Sequence, residues 1–364
     1  MQAMRWFLPV VAALGVARPA LAEGPMLRFI GQQIIATGTI AEGTVVGGLS
    51  GIDYDPVSGR YVAISDDRSR HAPARFYEIG FSLSSRGFGG VRVTGVHFMK
   101  QPDAAPFAAN AIDAESIRFV GGDLVYASEG NARAGVAPFV REMRGDGGFV
   151  RSFAVPAHYL PGRGSGIRYN LAFESLTLSD DGRRILAATE DTLAQDGAAA
   201  SRRNGGRSRI VSFDRATGQP VAEYVYEIGA AAGLSELLTL DEGRYLALER
   251  SAEPGWAGRS AKLFLIDLAG ASNVLGASEL RGRDYRPVSR TLLFDLGTLG
   301  IPLDNLEGMT FGQALENGNR SLILVSDNNF SKDQVTQFLA FEVLPADRRD
   351  SAVVLASRQQ DSGQ

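Results

Sequence analysis

The chain has 364 residues, of which 45% are hydrophobic and 21% charged, a composition that is typical of a globular protein and excludes general disorder. It contains no cysteine, which excludes disulfides, thiolate zinc sites, cysteine nucleophiles and cysteine-ligated iron–sulfur clusters. The formal net charge of −4 provides no basic surface for nucleic acid, so nucleic acid is not an expected partner.

The first 22 residues have the pattern of a secretory signal peptide. Arg5 precedes an apolar run over residues 6–17, and Ala20-Leu21-Ala22 has the small residues that signal peptidase recognises. This run is too short to span a bilayer, which needs about 20 residues. We therefore predict cleavage after Ala22, a periplasmic or secreted protein, and no transmembrane segment in the mature chain. A buried N-terminal helix is the alternative.

Five segments of the chain repeat one pattern. Each has a short strand that opens with a polar residue, a turn rich in Gly, Asp or Asn, and an apolar strand that ends in an acidic cluster. Two further strand candidates follow most of these units; after the first unit they are residues 75–82 and 91–99. Four antiparallel strands in each unit of about 60 residues are typical of β-propeller blades.

The pattern predicts an all-β fold, with one propeller domain over residues 23–345 and a polar tail over 346–364. Counting the repeats gives five blades, and six is the alternative. The segment 29–40 has no unit of its own, and the last unit has only three strands, ending with 336–344. We therefore predict that the N-terminal strand completes the last blade, which closes the ring and removes an open sheet edge.

Each unit also carries a polar pair at one end. The start of a strand lies beside the end of its antiparallel partner, so both members of a pair lie at the same end of the blade. If these strands are the inner ones, the pairs ring one mouth of the central channel. The predicted pairs are Ser50 with Asp66 and Asp67; Glu115 with Glu129; Glu174 with Glu190 and Asp191; Glu236 with Glu249; and Glu307 with Asp327, Asn328 and Asn329.

A ring of oxygen ligands without His or Cys favours Ca²⁺, with Mg²⁺ as the alternative, over softer transition metals. Solvated strand ends are the other explanation for any single pair, but a cluster of carboxylates is costly without a cation. The predicted metal ligands are Asp66, Glu115, Glu129, Glu174, Glu190, Asp191, Glu307 and Asp327. Three arginines follow acidic clusters and are either ion-pair partners of the ring or substrate-binding groups for an anion, namely Arg68, Arg133 and Arg250.

Two of the units, over residues 173–191 and 306–328, resemble the esterase-like, phytase-type propeller domain of exported bacterial proteins. The Glu-Gly-Met start and the acidic end about sixteen residues later are also similar to blades of the calcium-dependent β-propeller phytases. The resemblance covers residues 47–344. It implies that carboxylates hold Ca²⁺, which neutralises a substrate phosphate and orients a water, with ligands among Glu174, Glu190, Asp191, Glu307 and Asp327. The implied catalytic residues are Glu174, Glu190 and Glu307.

The sequence lacks a Gly-x-Ser-x-Gly elbow, a Walker A motif and a dinucleotide fingerprint. A serine esterase would need Ser50 or Ser165 beside a histidine, and the sequence does not exclude this; the histidines are His71, His97 and His158. Two hypotheses of different classes remain. The first is a metal-dependent hydrolase of a small phosphoester or ester, and the second is a non-catalytic propeller that binds a ligand or a partner protein at the same face.

Overall fold

The computed structural model describes residues 24–251 and 260–344, and the predicted signal peptide and polar tail lie outside the described residues. The first strands in chain order are β1 Met26–Ile35, β2 Ile40–Ala41, β3 Thr44–Val45, β4 Leu49–Asp55, β5 Arg60–Ser65, β6 Arg75–Ser84, β7 Gly87–Phe98, β8 Ala114–Val120, β9 Asp123–Ser128, β10 Phe139–Met143 and β11 Phe149–Ser152. They are followed by β12 Phe173–Leu178, β13 Arg184–Thr189, β14 Arg207–Asp214, β15 Pro220–Glu227, β16 Ala232–Asp241, β17 Arg244–Ser251, β18 Ala261–Asp267, β19 Ser289–Asp295, β20 Asn305–Ala314, β21 Arg320–Asp327 and β22 Thr336–Leu344. Short 3₁₀ turns lie at Ala132–Ala134, Ala157–Tyr159, Ala194–Asp196 and Leu296–Leu299.

Five four-stranded antiparallel sheets form the blades of a β-propeller, as predicted. Blade 1 is β4–β7, blade 2 is β8–β11, blade 3 is β12–β15, blade 4 is β16–β19, and blade 5 is β20–β22 with β1. The strands β4, β8, β12, β16 and β20 pack against one another in a closed ring and are therefore the inner strands. Among the described residues, no helix is both long enough and apolar enough to cross a bilayer.

The N-terminal strand completes the last blade, which confirms the predicted closure. β1 pairs with β22 from Met26 opposite Leu344 to Ile35 opposite Thr336. The predicted strand over residues 29–40 extends too far, because the chain leaves the sheet after Ile35 and turns at residues 36–39. Blade 5 thus joins the two ends of the described chain, and its closure ties residues that are far apart in sequence.

The hydrophobic core lies between neighbouring blades. Five large clusters of buried apolar side chains each join two adjacent blades, so both faces of every sheet are covered. At the centre the inner strands approach very closely. A Cβ atom on Gly51 would lie 2.8 Å from the carbonyl oxygen of Glu115, and a Cβ atom on Gly308 would lie 3.0 Å from the Cα atom of Gly51. Glycine at these two positions therefore permits the tight ring.

A buried ion pair crosses the central channel below the mouth. Arg118 on β8 lies 2.7 Å from the carboxylate of Glu236 on β16, so the pair joins blades 2 and 4 across the ring. The same guanidinium donates to the carbonyl of Ile52 in blade 1 at 2.8 Å and to that of Leu237 in blade 4 at 3.0 Å. One side chain thereby ties three inner strands together and forms a floor beneath the mouth.

Deletion of residues 24–35 is expected to abolish cooperative folding, because β22 would lose its outer partner and become an open sheet edge. The truncated protein should elute as aggregates and lack a sharp thermal transition, whereas the full chain should melt in one step. Size-exclusion chromatography and circular dichroism measure both properties. A monomeric truncated protein with a cooperative melt would contradict the role of β1 in closing the ring.

Candidate metal and substrate site

Every inner strand carries a β-bulge at the same place. In blade 1, Leu49 pairs with Ser65 and Gly51 pairs with Ile64, so Ser50 is the additional residue. The register shifts in the same way in the other four blades. A bulge bends its strand and re-aims the additional side chain. The five residues placed in this way are Ser50, Glu115, Glu174, Ser235 and Glu307.

A second ring position follows from the same register. In blade 1, Ser65 on β5 pairs with Leu49, the residue just before the bulge, and Asp66 follows Ser65 in the chain. The equivalent residue of each other blade occupies this second position. Asp66 donates its backbone N–H to the carbonyl of Gly48, which fixes it beside the bulge of its own blade. The residues at this second position are Asp66, Glu129, Glu190, Arg250 and Asp327. Four blades therefore contribute a carboxylate, and blade 4 contributes a guanidinium.

The predicted pair in blade 4, Glu236 with Glu249, is wrong. Glu236 lies one residue beyond the bulge and forms the ion pair with Arg118 in the channel. Glu249 lies between blades 3 and 4, where it accepts a hydrogen bond from the hydroxyl of Tyr226 at 2.6 Å and pairs with Arg290. Ser235 and Arg250 occupy the ring positions of this blade. The sequence comparison aligned Glu236 with the carboxylates of the other repeats, whereas the bulge residue of blade 4 is Ser235, one position earlier.

The carboxylates of the ring form one continuous cluster. Its side chains fall into three groups whose ligand atoms lie within 4.8 Å of one another: Asp113 with Glu115 and Glu129; Glu115 with Glu174 and Glu307; and Glu129 with Glu174 and Glu190. The groups share members, so they adjoin. The structure thus brings together five of the eight predicted ligands and adds Asp113, which sequence reasoning missed. Its signal in the sequence is its place two residues before Glu115, just ahead of β8.

Three carboxylates of the cluster, those of Glu115, Glu174 and Glu307, form part of the wall of a cavity of about 370 Å³ at the mouth, and Asp113, Glu129 and Glu190 lie behind this wall. Two further predicted ligands, Asp66 and Asp327, also line it. Asp191 lies apart from the three carboxylate groups, because its oxygens accept hydrogen bonds from the backbone N–H groups of Thr192 at 2.6 Å and Ala200 at 2.7 Å. The full lining is Asp66, Asp67, Arg68, Arg70, His71, Glu115, Asn170, Glu174, Arg250, Asn305, Glu307, Asp327, Asn329 and Phe330.

The three predicted arginines have different environments. Arg250 forms ion pairs with Glu307 at 2.7 Å, with Glu174 at 3.0 Å and with Glu190 at 3.3 Å. Arg68 forms an ion pair with Asp113 at 2.5 Å and also lines the cavity. Arg133 lies 3.8 Å from the centre of the Tyr169 ring, and the hydroxyl of Tyr169 accepts a hydrogen bond from Arg68. Arg133 therefore lies outside the cavity lining, with Tyr169 between it and Arg68.

Burial, reinforced by the neighbouring negative charges, raises the pKa of the clustered carboxyl groups. Burial and the charges of Glu307 and Asp113 raise the pKa of Asp66 to about 8. Burial raises the pKa of Glu190 to about 7, although Arg250 acts in the opposite direction. The pKa values of four further groups lie well above their ordinary values for the same reason: Glu115, Glu129, Glu174 and Asp327. Without a cation, the clustered carboxyl groups therefore oppose full ionisation at neutral pH.

In chelator, the melting temperature is expected to fall as the pH rises from about 5 to about 8. A group such as Glu190 has a pKa of about 7 in the folded chain and 4.5 in the unfolded chain, so the folded state holds more protons in this range. Stability must then decrease with rising pH. Excess Ca²⁺ should remove this slope, because a cation favours the ionised carboxylates. Thermal scans in EDTA and in Ca²⁺ test this, and parallel slopes in the two media would contradict it.

The residues of the cluster fit a hard divalent cation. All donors are carboxylate oxygens, which Ca²⁺ and Mg²⁺ prefer. One oxygen of Asp113, Oδ1, is buried and receives no hydrogen bond from an N–H or hydroxyl group among the described residues, although a buried polar atom normally does, and Asp113 adjoins the carboxyl group of Glu115. Its other oxygen is held by Arg68. An oxygen without such a donor inside a group of three carboxylates is the arrangement that a cation would complete.

The histidines of the chain have partners other than serine among the described residues. His97 on β7 lies 3.2 Å from Glu78 on β6, and His158 in the 3₁₀ turn Ala157–Tyr159 lies 3.0 Å from Glu223 on β15. His71 lines the cavity and stacks on Phe330, with ring centroids 4.3 Å apart. These contacts do not form the serine–histidine pair that a serine esterase would need.

Comparison with known proteins gives a family and a set of distant structural similarities. The model of a phytase-like family, described as the esterase-like activity of phytase, matches residues 44–330. No curated protein matches the sequence. A solved structure described as Bacteroides ovatus Xyloglucan PUL GH43B is 12% identical with a TM-score of 0.45, over 85% of this chain and 54% of that one. The PQQ-bound aldose sugar dehydrogenase from Streptomyces coelicolor is 12% identical with a TM-score of 0.40, over 89% of this chain and all of that one.

Proposed function

Since the chain belongs to the phytase-like family, whose model covers residues 44–330, we propose that it is a metal-dependent hydrolase of a small phosphoester or ester. The observation that carries the proposal is the set of bulge-directed carboxylates around one cavity, with an oxygen on Asp113 that receives no hydrogen bond from an N–H or hydroxyl group of the described residues. A cavity of about 370 Å³ is in the range that holds small molecules. The proposal includes export of the mature chain after cleavage at Ala22.

The group of Asp113, Glu115 and Glu129 would hold the cation and adjoins the cavity through Glu115, and Asp66, Glu307 and Asp327 line that cavity as well. When bound, Ca²⁺ or Mg²⁺ supplies Lewis acidity toward an ester or phosphoester oxygen and toward an attacking water.

The remaining residues orient the substrate and the water. Glu307 is held by Arg250 and by the side chain of Asn305 at 2.8 Å, so its carboxylate has one fixed orientation toward the cavity. We assign Glu174, Glu190 and Glu307 to the positioning of the attacking water. Arg68, Arg70 and His71 lie on the blade 1 side of the cavity, where guanidinium groups are suited to the anionic group of a phosphoester.

A panel of phosphomonoesters and carboxylesters, assayed in Ca²⁺ and in chelator, tests the proposal. We expect hydrolysis of at least one class in Ca²⁺ and its loss in chelator. The Ser165→Ala variant is the control, because Ser165 is exposed outside the cavity lining and should be dispensable. Metal binding without turnover of any substrate would favour the alternative, a non-catalytic propeller. Loss of turnover in Ser165→Ala would favour a serine esterase.

A further inference from the structure

The second ring position differs in blade 4. Blades 1, 2, 3 and 5 place a carboxylate there, whereas blade 4 places Arg250. The backbone is equivalent, since Arg250 pairs with Gly233 on β16 as Asp327 pairs with Asn305 on β20. The substitution therefore changes the charge at this position while it preserves the geometry of the blade.

Arg250 reaches carboxylates of both neighbouring blades. Its Nη2 atom lies within 3.3 Å of one oxygen of Glu190 and closer still to oxygens of Glu174 and Glu307. Its side chain is 13% exposed, so the charges meet where water screens them little. A positive charge that contacts three buried carboxylates has the electrostatic role of a bound cation.

The group of Asp113, Glu115 and Glu129 comes entirely from blade 2 and forms no ion pair with Arg250 among the described contacts. Arg68 pairs with Oδ2 of Asp113, and the backbone N–H of Ala172 donates to Oε1 of Glu129 at 2.5 Å. Oδ1 of Asp113 receives no hydrogen bond from an N–H or hydroxyl group of the described residues. Oxygens that are free to bind a cation therefore remain on the blade 2 side of the mouth.

We infer that Arg250 is an internal cation that occupies a second metal position, so that a divalent ion binds only at Asp113, Glu115 and Glu129. This inference rests on the proposed metal-dependent function. The guanidinium of Arg250 then offsets part of the negative charge of Glu174, Glu190 and Glu307. The number of metal ions per chain is then determined by a single residue.

Counting Ca²⁺ per chain by equilibrium dialysis and elemental analysis tests this inference. Arg250→Gln should bind one Ca²⁺ more than the parent chain, because it exposes three carboxylates that a cation can bridge. Arg250→Lys retains the charge and should keep the parent count, as should Arg133→Gln, which changes an arginine outside the cavity lining. Equal counts in Arg250→Gln and the parent would overturn the inference.

A second pair of variants leaves Arg250 in place and remains informative if Arg250→Gln does not fold. Asp113→Asn should weaken Ca²⁺ binding by roughly tenfold or more, whereas Glu190→Gln should keep the parent count. The reverse result would overturn the inference. Ion counts do not depend on turnover. If Arg250→Gln binds one Ca²⁺ more than the parent chain but the parent hydrolyses no substrate, only the hydrolase proposal is refuted. If the parent is active in Ca²⁺ but both proteins bind the same number of ions, only this inference is refuted.

Discussion

The Arg118→Met variant is expected to lower the free energy of unfolding by about 3–5 kcal/mol, because it leaves a buried carboxylate without its partner. Arg118 and Glu236 are both almost fully buried and lie 2.7 Å apart. The guanidinium also accounts for hydrogen bonds to the carbonyls of Ile52 and Leu237. Methionine can fill much of the volume of the arginine side chain. The decrease in the free energy of unfolding therefore measures the loss of the charge and of the hydrogen bonds rather than the creation of a cavity.

Chemical denaturation measures this effect. Arg183→Met is the matched control, since that arginine is 84% exposed and its replacement should change stability by no more than about 0.5 kcal/mol. The double variant Arg118→Met, Glu236→Leu should recover part of the loss, because it removes both charges. A decrease below about 1 kcal/mol in Arg118→Met would show that the pair does not hold the inner strands together.

Glu115→Gln is expected to reduce kcat/KM by roughly 10²–10³-fold, the size of effect seen when one group that stabilises developing charge is lost. Glu115 belongs to two of the three carboxylate groups, and its removal therefore weakens the site more than the loss of a peripheral residue. Glutamine has nearly the same shape, so the fold should be retained. Higher Ca²⁺ should restore part of the activity, because the weakened site can still be filled by mass action.

Steady-state kinetics over a range of Ca²⁺ concentrations, with circular dichroism as the check on folding, measures this effect. Glu307→Gln should also lower turnover, since Glu307 is a bulge residue at the cavity, but higher Ca²⁺ should not restore it because Glu307 pairs with Arg250 rather than with the ion. Glu78→Gln is the matched control, because Glu78 lies on β6, away from the mouth. Parent-like turnover in Glu115→Gln would exclude the carboxylate cluster from catalysis.

The blade pattern was predictable from the sequence because each unit repeats a strand, a turn and an apolar strand, and such local signals are strong. The closure of blade 5 was predictable because the last unit lacked a strand. The register of blade 4 was not. A bulge adds one residue to a strand without leaving a mark in the hydrophobic alternation, so Ser235-Glu236 was matched by its carboxylate rather than by its backbone. For the same reason Arg250 was not recognised as a ring position.

Side-chain direction accounts for the other omissions. Glu115 and Arg118 lie three residues apart on β8, yet the bulge directs Glu115 to the mouth, while Arg118 spans the channel to blade 4. Sequence alone does not say which polar residues of an inner strand meet across a ring. Asp113 was missed because it precedes the strand, although its carboxylate joins those of Glu115 and Glu129.

A crystal structure grown in Ca²⁺ tests the central claim most directly, because bound Ca²⁺ favours the ionised carboxylates and is visible in the density. The account predicts anomalous density among Asp113, Glu115 and Glu129, with oxygen ligands at about 2.3–2.6 Å and Oδ1 of Asp113 among them. Arg250 should remain on Glu174, Glu190 and Glu307. A mouth without density at these residues, with their carboxyl groups hydrogen-bonded to one another, would contradict it.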